Sequence, residues 1–403
     1  MRIALDARML ARADRRGIGK AVARLYARLA QVRPDWRVVA FYQPHHAASA
    51  KVAWPANVER AQPIDLPGDR FDAWLELRLP RAARAAGCDL LHCPANQAPG
   101  YVGLPYVATI HDLIPLDADP PAPKRDQRRY AKWVKRACER ASSVITPSDH
   151  VRRLLIDRFG LDPHRAHTSG WDAPESAVVT QAQTRQVLER LEVDRPFALH
   201  FGAAEPRKNT DRLIDAWLSA HPLVRQHAQL VVLGLDLATR SRLTDRIERA
   251  GEANSARLLG YQPESTARTL MHAADVLAFP SLDEGYGLPV LEAHAAGTAV
   301  LASPMGALPE VAGDAAMYAD PADAKSLARG LTALLLDAPL RRRLVLAGQA
   351  ADADRRPSRC AQVYAAAFER AAGLTVTTTR LTPPVPAGRR APSGQGAPNP
   401  QAA

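Results

Sequence analysis

The sequence has 403 residues, of which 47% are hydrophobic and 24% charged, and it carries a formal net charge of +11 at pH 7. A chain of this length is too long for one ordinary hydrophobic core, which predicts two domains. The composition is typical of a soluble globular protein, no apolar run is long enough to cross a bilayer, and the first residues lack the pattern of a signal peptide. We therefore expect a cytosolic protein whose partners are anionic.

The first half of the chain alternates short β-branched, apolar runs with helical patterns. Predicted strands are Arg2–Asp6, Arg37–Tyr42, Asp89–His92, Tyr106–Ile110 and Ser143–Pro147. Predicted helices between them are Ile18–Ala30, Asp72–Ala86 and Asp126–Ala141. Alternation of this kind favours a parallel sheet covered by helices on both faces.

The same alternation restarts in the second half, after the polar segment Gln181–Arg190. Predicted strands are Phe197–Phe201, Leu230–Leu233, Arg257–Leu259, Asp275–Phe279 and Ala299–Ala302. Predicted helices are Asn209–Ala220, Leu237–Ala250 and Leu288–Ala296. The fold class is therefore α/β, with two Rossmann-like doubly wound domains. Ligands of such sheets bind beyond the carboxyl ends of the strands, which predicts a site in a cleft between the two domains.

Disulfide and zinc sites are not expected. The cysteines are scattered without a C-x-x-C pair, which predicts reduced and mostly buried thiols. They are Cys88, Cys93, Cys138 and Cys360.

The strongest functional pattern lies in the segment Phe279–Gly297. An apolar strand runs into a loop with Gly285 and Gly287, and a helix then begins at a proline. The glycines permit close approach of the backbone to a ligand, and the first amides of the helix attract an anion. Two carboxylates, Glu284 in the loop and Glu292 in the helix, fall where sugar and ribose hydroxyls would lie. Either one alone is explained as a turn cap or a helix-dipole partner, but both together with the glycines favour a ligand site.

A second segment, His200–Trp217, repeats the order of strand, glycine turn and helix. Gly202 is followed by the adjacent cations Arg207 and Lys208, which would hold an anion at another helix start. A solvated basic turn is the alternative. Only seven of the 53 Lys and Arg residues are lysines, so a lysine inside this pattern favours a functional role.

These two segments resemble the donor-binding half of glycosyltransferase family 4, a retaining family with the GT-B architecture of two Rossmann-like domains facing a cleft. The family signature E-G-F/Y-G-L-P-x-x-E is matched from Glu284 to Glu292, and the stretch Gly297–Pro321 also follows the family. The E-P-R-K-N sequence at 205–209 resembles a subgroup that contains bacterial mannosyltransferases. The resemblance covers roughly residues 1–370.

The resemblance implies roles for individual residues. Arg207 and Lys208 would hold the donor diphosphate, Glu284 would lie against the donor sugar, and Glu292 would accept hydrogen bonds from the ribose hydroxyls. Many members place an arginine directly after the glycine of the first strand, where this chain has Ala203, so the reach of Arg207 stays open. The residues whose backbone would lie near the sugar and phosphates are Gly285, Tyr286, Gly287 and Leu288.

The first half fits an acceptor domain of this family. His111 ends a predicted strand beside Asp112, and in similar enzymes this histidine faces the donor sugar across the cleft. A lone histidine is more often structural. Gly17 and Gly19 resemble the family's first loop, which lets acceptor and phosphate approach the backbone. Ser148 matches a family serine.

The predicted domains are an acceptor-side domain at 1–175, a donor-binding domain at 176–355 and a helix at 356–373 that packs back on the first domain. From 374 to 403 the chain is rich in Thr, Pro, Gly and Ser, which predicts a disordered tail. A tail that contacts anionic lipid is the alternative.

One predicted helix is strongly basic. Lys124–Arg140 contains eight basic and two acidic residues, and Tyr130, Val134 and Ala137 fall on one face. This pattern predicts a basic amphipathic helix, which suits an anionic membrane surface or a solvated helix face. Many family members modify lipid-linked acceptors, so the resemblance favours the membrane.

The resemblance implies transfer of a hexose from a nucleotide-diphosphate sugar to a saccharide or polyprenyl-diphosphate-linked acceptor in polysaccharide biosynthesis, with mannose from GDP-mannose as the first expectation. His111 and Glu284 would stabilise an oxocarbenium-like centre, and the departing phosphate would help to take the acceptor proton. No cofactor and no metal are expected, because fixed cations and a helix dipole neutralise the leaving group. The expected location is the cytoplasm, peripherally on the inner face of the membrane, and no nucleic-acid partner is expected.

Three other functions stay open. A nucleotide-sugar epimerase shares the architecture, but the acid/base pairs of its chemistry are not found. A nicotinamide dehydrogenase requires G-x-G-x-x-G, which the sequence from Gly17 to Val22 does not supply. A non-catalytic sugar- or lipid-binding protein of the same fold would not need both carboxylates and both cations.

Overall fold

The computed structural model describes residues 1–10, 17–42, 54–61, 73–100, 102–117, 123–172, 179–194, 196–354 and 359–374. Two parallel sheets organise this part of the chain. The first has seven strands in the order β3-β2-β1-β4-β5-β6-β7. Its strands are β1 (Arg2–Asp6), β2 (Arg37–Phe41), β3 (Val58–Ala61), β4 (Leu90–Cys93), β5 (Tyr106–Thr109), β6 (Ser143–Thr146) and β7 (Ala166–Thr168).

Helices cover the first sheet because their apolar residues recur at helical spacing. In the first helix, Ala21, Leu25 and Leu29 are buried four residues apart. The helices are α1 (Gly17–Val32), α2 (Leu79–Ala85), α3 (Ile114–Asp117), α4 (Lys124–Arg140) and α5 (Asp149–Phe159).

The second sheet has six strands in the order β10-β9-β8-β11-β12-β13. Its strands are β8 (Phe197–Phe201), β9 (Gln229–Leu233), β10 (Ala256–Leu258), β11 (Val276–Phe279), β12 (Ala299–Ala302) and β13 (Ala316–Tyr318). The helices that follow the first half are α6 (Gln181–Arg190), α7 (Thr210–Ser219), α8 (Pro222–His227), α9 (Leu237–Arg249), α10 (Glu264–Ala273), α11 (Leu288–Ala296), α12 (Leu308–Ala312), α13 (Ala324–Leu336), α14 (Ala338–Asp354) and α15 (Arg359–Ala371).

Both sheets reverse their strand order once, and these reversals position the site. In the first sheet β1 pairs with β2 on one side and β4 on the other, and in the second sheet β8 lies between β9 and β11. Loops that leave neighbouring strands in opposite directions open a crevice at the carboxyl ends of the strands. The loops after β8 and β11, which carry the predicted donor residues, therefore start side by side.

The final described helix packs on the first sheet. α15 contacts α1, β5, β6 and β7. The Tyr364 hydroxyl lies 3.0 Å from Thr109 Oγ1, and Arg33 donates to Glu369 at 2.6 Å. This helix lies within the segment predicted to return to the first domain. The predicted disordered tail lies outside the described residues from 375 onward.

The α/β fold with two doubly wound sheets is confirmed, and several predicted bounds match the structure. Arg2–Asp6, Phe197–Phe201, Ala299–Ala302 and Leu288–Ala296 end where predicted. The prediction missed β3, β7 and β13, which are outer strands of three or four residues and too short to show periodicity.

The predicted helix Asp72–Ala86 is interrupted. Trp74–Arg78 is a π-helical turn in which the Leu79 N–H donates to the Trp74 carbonyl, and a regular helix follows. Pro80 stands in the first turn of that regular helix, where its missing N–H is tolerated, and it cannot donate a hydrogen bond to the π-helical turn before it.

All four cysteines are free and buried. Among the helices of the described ranges, none is both long and apolar enough for a bilayer span.

Candidate active site

The loop after β8 presents both predicted donor cations on one turn. Asn209 follows that turn in the left-handed region, with φ of 59°, a conformation that asparagine tolerates better than most residues. Its side-chain amide donates to the carbonyls of Pro280 at 3.1 Å and Pro321 at 2.8 Å. Asn209 therefore fixes the basic turn against the end of β11. The sequence analysis gave this residue no role, although it is the last letter of the E-P-R-K-N motif.

The two cations meet the first carboxylate of the Glu–Glu motif. Arg207 NH1 lies 2.7 Å and Lys208 Nζ 2.8 Å from Glu284 Oε1. Arg207 also donates to the Asp283 carbonyl at 2.8 Å. Its guanidinium therefore reaches the loop after β11, a point that the sequence left open. Burial alone raises the pKa of Glu284, but the charges of Lys208 and Arg207 outweigh it and lower the pKa below its ordinary value. Glu205 Oε2 lies 3.3 Å from the same arginine, so this charged centre holds two cations and two carboxylates.

The start of α11 lies next to this centre. Gly287 precedes the helix with φ of +103°, a conformation that side chains rarely adopt, and a Cβ there would stand 2.6 Å from Leu308 Cδ2. The glycine lets the chain turn directly from Glu284 into the helix, so the positive end of the α11 dipole lies near the same region. Pro289 has no N–H and the Val290 N–H donates to the Gly287 carbonyl at 2.9 Å, so neither residue offers a donor to a ligand. An anionic group here would meet two side-chain cations beside the positive end of a helix.

Residues of the first half close the other side of this centre. A Cβ on Gly285 would stand 2.1 Å from the His111 carbonyl oxygen, and one on Gly17 would stand 3.5 Å from Leu288 Cδ1. Ser148 Oγ donates to the Gly285 carbonyl at 2.7 Å. The structure thus brings predicted residues from both halves of the chain to one cleft.

His111 is buried and fixed. Its Nε2 donates to the Pro94 carbonyl at 2.7 Å, its backbone N–H donates to Asn96 Oδ1 at 2.5 Å, and its ring stacks on Trp171 at 5.7 Å. Burial lowers the pKa of His111 to about 4, so the ring is neutral at physiological pH. Because Nε2 carries the hydrogen, Nδ1 is the basic nitrogen. Next to it, burial raises the pKa of Asp112 to about 6.

Tyr286 lies in the predicted donor loop, residues 284–287, and links this loop to Trp171. Its hydroxyl donates to the Trp171 carbonyl at 3.2 Å. Trp171 also stacks on Tyr364 of α15 at 6.1 Å. The donor loop, His111 and the last helix therefore all contact one residue, Trp171.

A cavity of about 620 Å³ lies at the carboxyl ends of β8 and β9. Its first-half wall is formed by Lys20 and Arg24 of α1, and its second-half wall includes Gly202, Gly234 and Tyr261. Lys20 spans the two walls through an ion pair of 3.2 Å with Glu264. This wall of α1 was not predicted, although the scarcity of lysine that singled out Lys208 applies equally to Lys20.

Glu292 lies beside this cavity rather than in the Glu284 cluster. Burial raises its pKa, while the charges of Lys20 and Arg24 act in the opposite direction. Gly19 is buried within α1. Within the described ranges, no group of three or more His, Cys, Asp or Glu side chains is arranged to hold a metal ion.

The basic helix α4 uses its apolar face internally. Tyr130, Trp133, Val134, Ala137 and Cys138 are buried in the first domain. The predicted amphipathic helix is present, but its apolar side is not free to enter a membrane. Its exposed cations are Lys124, Arg125, Arg128, Lys132, Lys135 and Arg140.

Two facing doubly wound sheets with a cationic turn and a helix start in their cleft define the GT-B class of α/β proteins. Solved structures support this class: HepE of Anabaena, in complex with UDP-glucose, superposes with a TM-score of 0.68 at 19% identity, covering 90% of this chain and 98% of that one. The lipopolysaccharide glycosyltransferase WaaG has a TM-score of 0.65 at 16% identity, covering 93% and 100%.

Sequence comparison gives the family. Residues 15–168 match the model described as Glycosyltransferase Family 4, and residues 183–351 match Glycosyl transferases group 1. The alpha-maltose-1-phosphate synthase of Mycobacterium tuberculosis is 30% identical over 66% of this chain and 70% of its own length. The protein belongs to glycosyltransferase family 4.

A further relative is the O-antigen chain mannosyltransferase B of Escherichia coli, which is 30% identical over 57% of this chain. The match spans 61% of that relative's length.

Proposed function

We propose that the protein is a retaining, metal-independent glycosyltransferase that moves a hexose from a nucleotide-diphosphate sugar to a saccharide or lipid-linked saccharide in polysaccharide biosynthesis. The observation that carries this proposal is the meeting of Arg207 and Lys208 at Glu284 Oε1, at 2.7 and 2.8 Å, in the loop that leads into α11. A diphosphate leaving group needs this arrangement, because charge that develops as the bond breaks must be neutralised.

The proposed reaction is the one that the family resemblance implies, with roles assigned to these groups. The bond between the anomeric carbon and the diphosphate oxygen breaks, and the acceptor oxygen forms the new bond on the same face of the sugar. The acceptor proton passes to the departing phosphate oxygen. Arg207 and Lys208 stabilise the departing charge, while Glu284, which carries a negative charge, stabilises the positive character of the sugar. A neutral His111 orients the sugar without opposing that positive charge.

Metal independence is part of the proposal. Two side-chain cations and a helix dipole supply the positive charge that a divalent cation would otherwise provide. Transfer measured with and without a chelator tests this point, and activity that requires an added divalent cation would contradict it.

The donor is proposed to be GDP-mannose. The E-P-R-K-N motif and the similarity to a mannosyltransferase support mannose, whereas the Anabaena structure supports uridine nucleotides as the competing class. We propose that the nucleoside occupies the cavity beside Gly202, Gly234 and Tyr261, where the backbone is open and one aromatic ring is exposed.

Thermal shift with a panel of nucleotide sugars ranks these donors. At 100 times its dissociation constant, a bound ligand stabilises the folded protein by about 2.7 kcal/mol, which raises Tm by several degrees. We expect the largest shift with GDP-mannose and a smaller one with UDP-glucose. A larger shift with UDP-glucose would reject the guanine donor while leaving glycosyl transfer intact.

Product analysis separates the other functions. Transfer to an added acceptor, with the anomeric configuration retained by NMR, is the expected result. Conversion of the donor without acceptor would indicate an epimerase, and binding without any product would indicate a sugar-binding protein.

We also propose that the enzyme works peripherally on the inner face of the membrane. Because the apolar side of α4 is buried, the contact would be electrostatic, with about 1 kcal/mol for each cation near an anionic surface. We expect sedimentation with phosphatidylglycerol vesicles but not with phosphatidylcholine vesicles, and loss of binding in the triple variant Arg128→Glu, Lys132→Glu, Lys135→Glu. In the matched control, Glu replaces three exposed arginines of the second half, Arg249, Arg342 and Arg343. Equal loss in both variants would reject α4 as the contact.

A further inference from the structure

The amino end of α5 is completed by a residue from the other half of the chain. Glu310 of α12 accepts the Asp149 backbone N–H through both carboxylate oxygens, at 2.8 Å each, and the His150 N–H at 3.2 Å. The first amides of a helix have no partner within the helix, and its dipole favours a negative charge there. A carboxylate of the second half therefore holds a helix of the first.

The same turn makes two more contacts across the cleft. Ser148 Oγ accepts the Val151 N–H at 3.2 Å and donates to the Gly285 carbonyl at 2.7 Å. His150 Nε2 lies 3.9 Å from Asp283 Oδ1. Three consecutive residues, 148 to 150, thus each contact the second half.

Each side of this contact is rigidly connected to a proposed reacting group. In the second half, the Ala307 N–H donates to the Glu284 carbonyl at 2.9 Å, and a Cβ on Gly306 would stand 2.6 Å from that same oxygen. In the first half, β6 leads into Ser148 and pairs with β5, which leads into His111. The Glu310 contact therefore joins the element that carries Glu284 to the element that carries His111.

We propose that Glu310 is a positioning residue that holds the cleft in the arrangement required for transfer. It acts through α5 and touches no reacting atom. Glu310 is exposed at the surface, so its substitution removes the contact without opening the hydrophobic core. This inference rests on the proposed transfer reaction for its kinetic consequence, but its geometric consequence is independent of any substrate.

The geometric consequence is measured without a donor. Spin labels at Asp157→Cys in α5 and Ser241→Cys in α9 report the distance between the halves, since both positions are exposed and the native thiols are buried. We expect Glu310→Ala to lengthen and broaden the distance distribution, Glu310→Gln to lie between it and the parent, and Asp245→Ala, an exposed carboxylate in α9, to leave it unchanged. An unchanged distribution in Glu310→Ala overturns the proposal.

The kinetic consequence separates positioning from binding. Glu310→Ala is expected to lower kcat about tenfold, because a small misplacement of reacting groups is costly, while the dissociation constant of the nucleoside diphosphate stays within about twofold. Glu310→Gln, which keeps an oxygen acceptor for the amides, restores part of kcat. A parallel loss of diphosphate affinity, or no rescue by glutamine, overturns the positioning role. If no donor supports turnover, the proposed function fails but the distance measurement still decides this inference.

Discussion

Lys208→Ala is expected to lower kcat/KM by about 10- to 100-fold, because a hydrogen bond between charged groups contributes about 1.5–3 kcal/mol. The ammonium group lies 2.8 Å from Glu284 and 5.0 Å from the centre of the Phe279 ring, so its position is fixed before a donor arrives. Removing it takes away a preorganised positive charge from the leaving diphosphate. The variant should fold, since Glu284 keeps Arg207 as a partner at 2.7 Å.

Steady-state kinetics and circular dichroism measure this prediction. Lys208→Arg keeps the charge but changes the geometry and should retain more activity than Lys208→Ala. Lys325→Ala removes an exposed lysine at the start of α13 and serves as the matched control, with unchanged kinetics. Parent-like kinetics in a folded Lys208→Ala protein would remove this residue from the site.

The architecture could be predicted from the sequence because the spacing of apolar residues indicates the strands and helices. Buried parallel strands such as β8 and β11 are continuous apolar runs, and the helices between them repeat apolar residues at helical spacing. The convergence of Lys208 with Glu284 was likewise implied, since loops after adjacent strands of one sheet start side by side. The pattern of strands and helices in the sequence therefore predicts which loops lie next to each other.

Contacts between the two halves could not be predicted from the sequence in the same way. Lys20 and Glu310 act through partners in the other half of the chain, and no local pattern encodes those partners. Lys20 pairs with Glu264 from the other half, and Glu310 bonds to amides of α5. Relative placement of two domains depends on many weak surface contacts rather than on periodicity.

Gly285 shows that a glycine at one position can have more than one physical reason. The sequence analysis selected it because glycine permits close approach to a ligand. The structure shows that the group crowding Gly285 is the backbone of His111, with Ser148 bonded to its carbonyl. A glycine required for contact between domains and one required for contact with a ligand look identical in the chain.

Gly285→Ala is therefore expected to be the more damaging substitution. Its Cβ would stand 2.1 Å from the His111 carbonyl oxygen and 3.0 Å from the carbonyl carbon, and neither backbone can rotate away as a side chain would. Relief requires the halves to separate by about 1 Å, and a displacement of that size costs about 100-fold in rate. We expect kcat to fall by at least this factor while nucleoside diphosphate still binds, because Arg207, Lys208 and the cavity wall of Gly202, Gly234 and Tyr261 all lie on the second half.

The matched control for Gly285→Ala is a glycine substitution that lowers stability without creating a clash in the cleft. Gly160 ends α5 with φ of +64° and open space around it, so Gly160→Ala strains the backbone by about 1–2 kcal/mol and lowers Tm. Its kcat should stay close to the parent value, whereas Gly285→Ala should lose kcat even where Tm is similar. Activity in Gly285→Ala equal to that of Gly160→Ala would mean that the cleft tolerates a wider spacing than this contact implies, and that close apposition of His111 and the donor loop is not required for transfer.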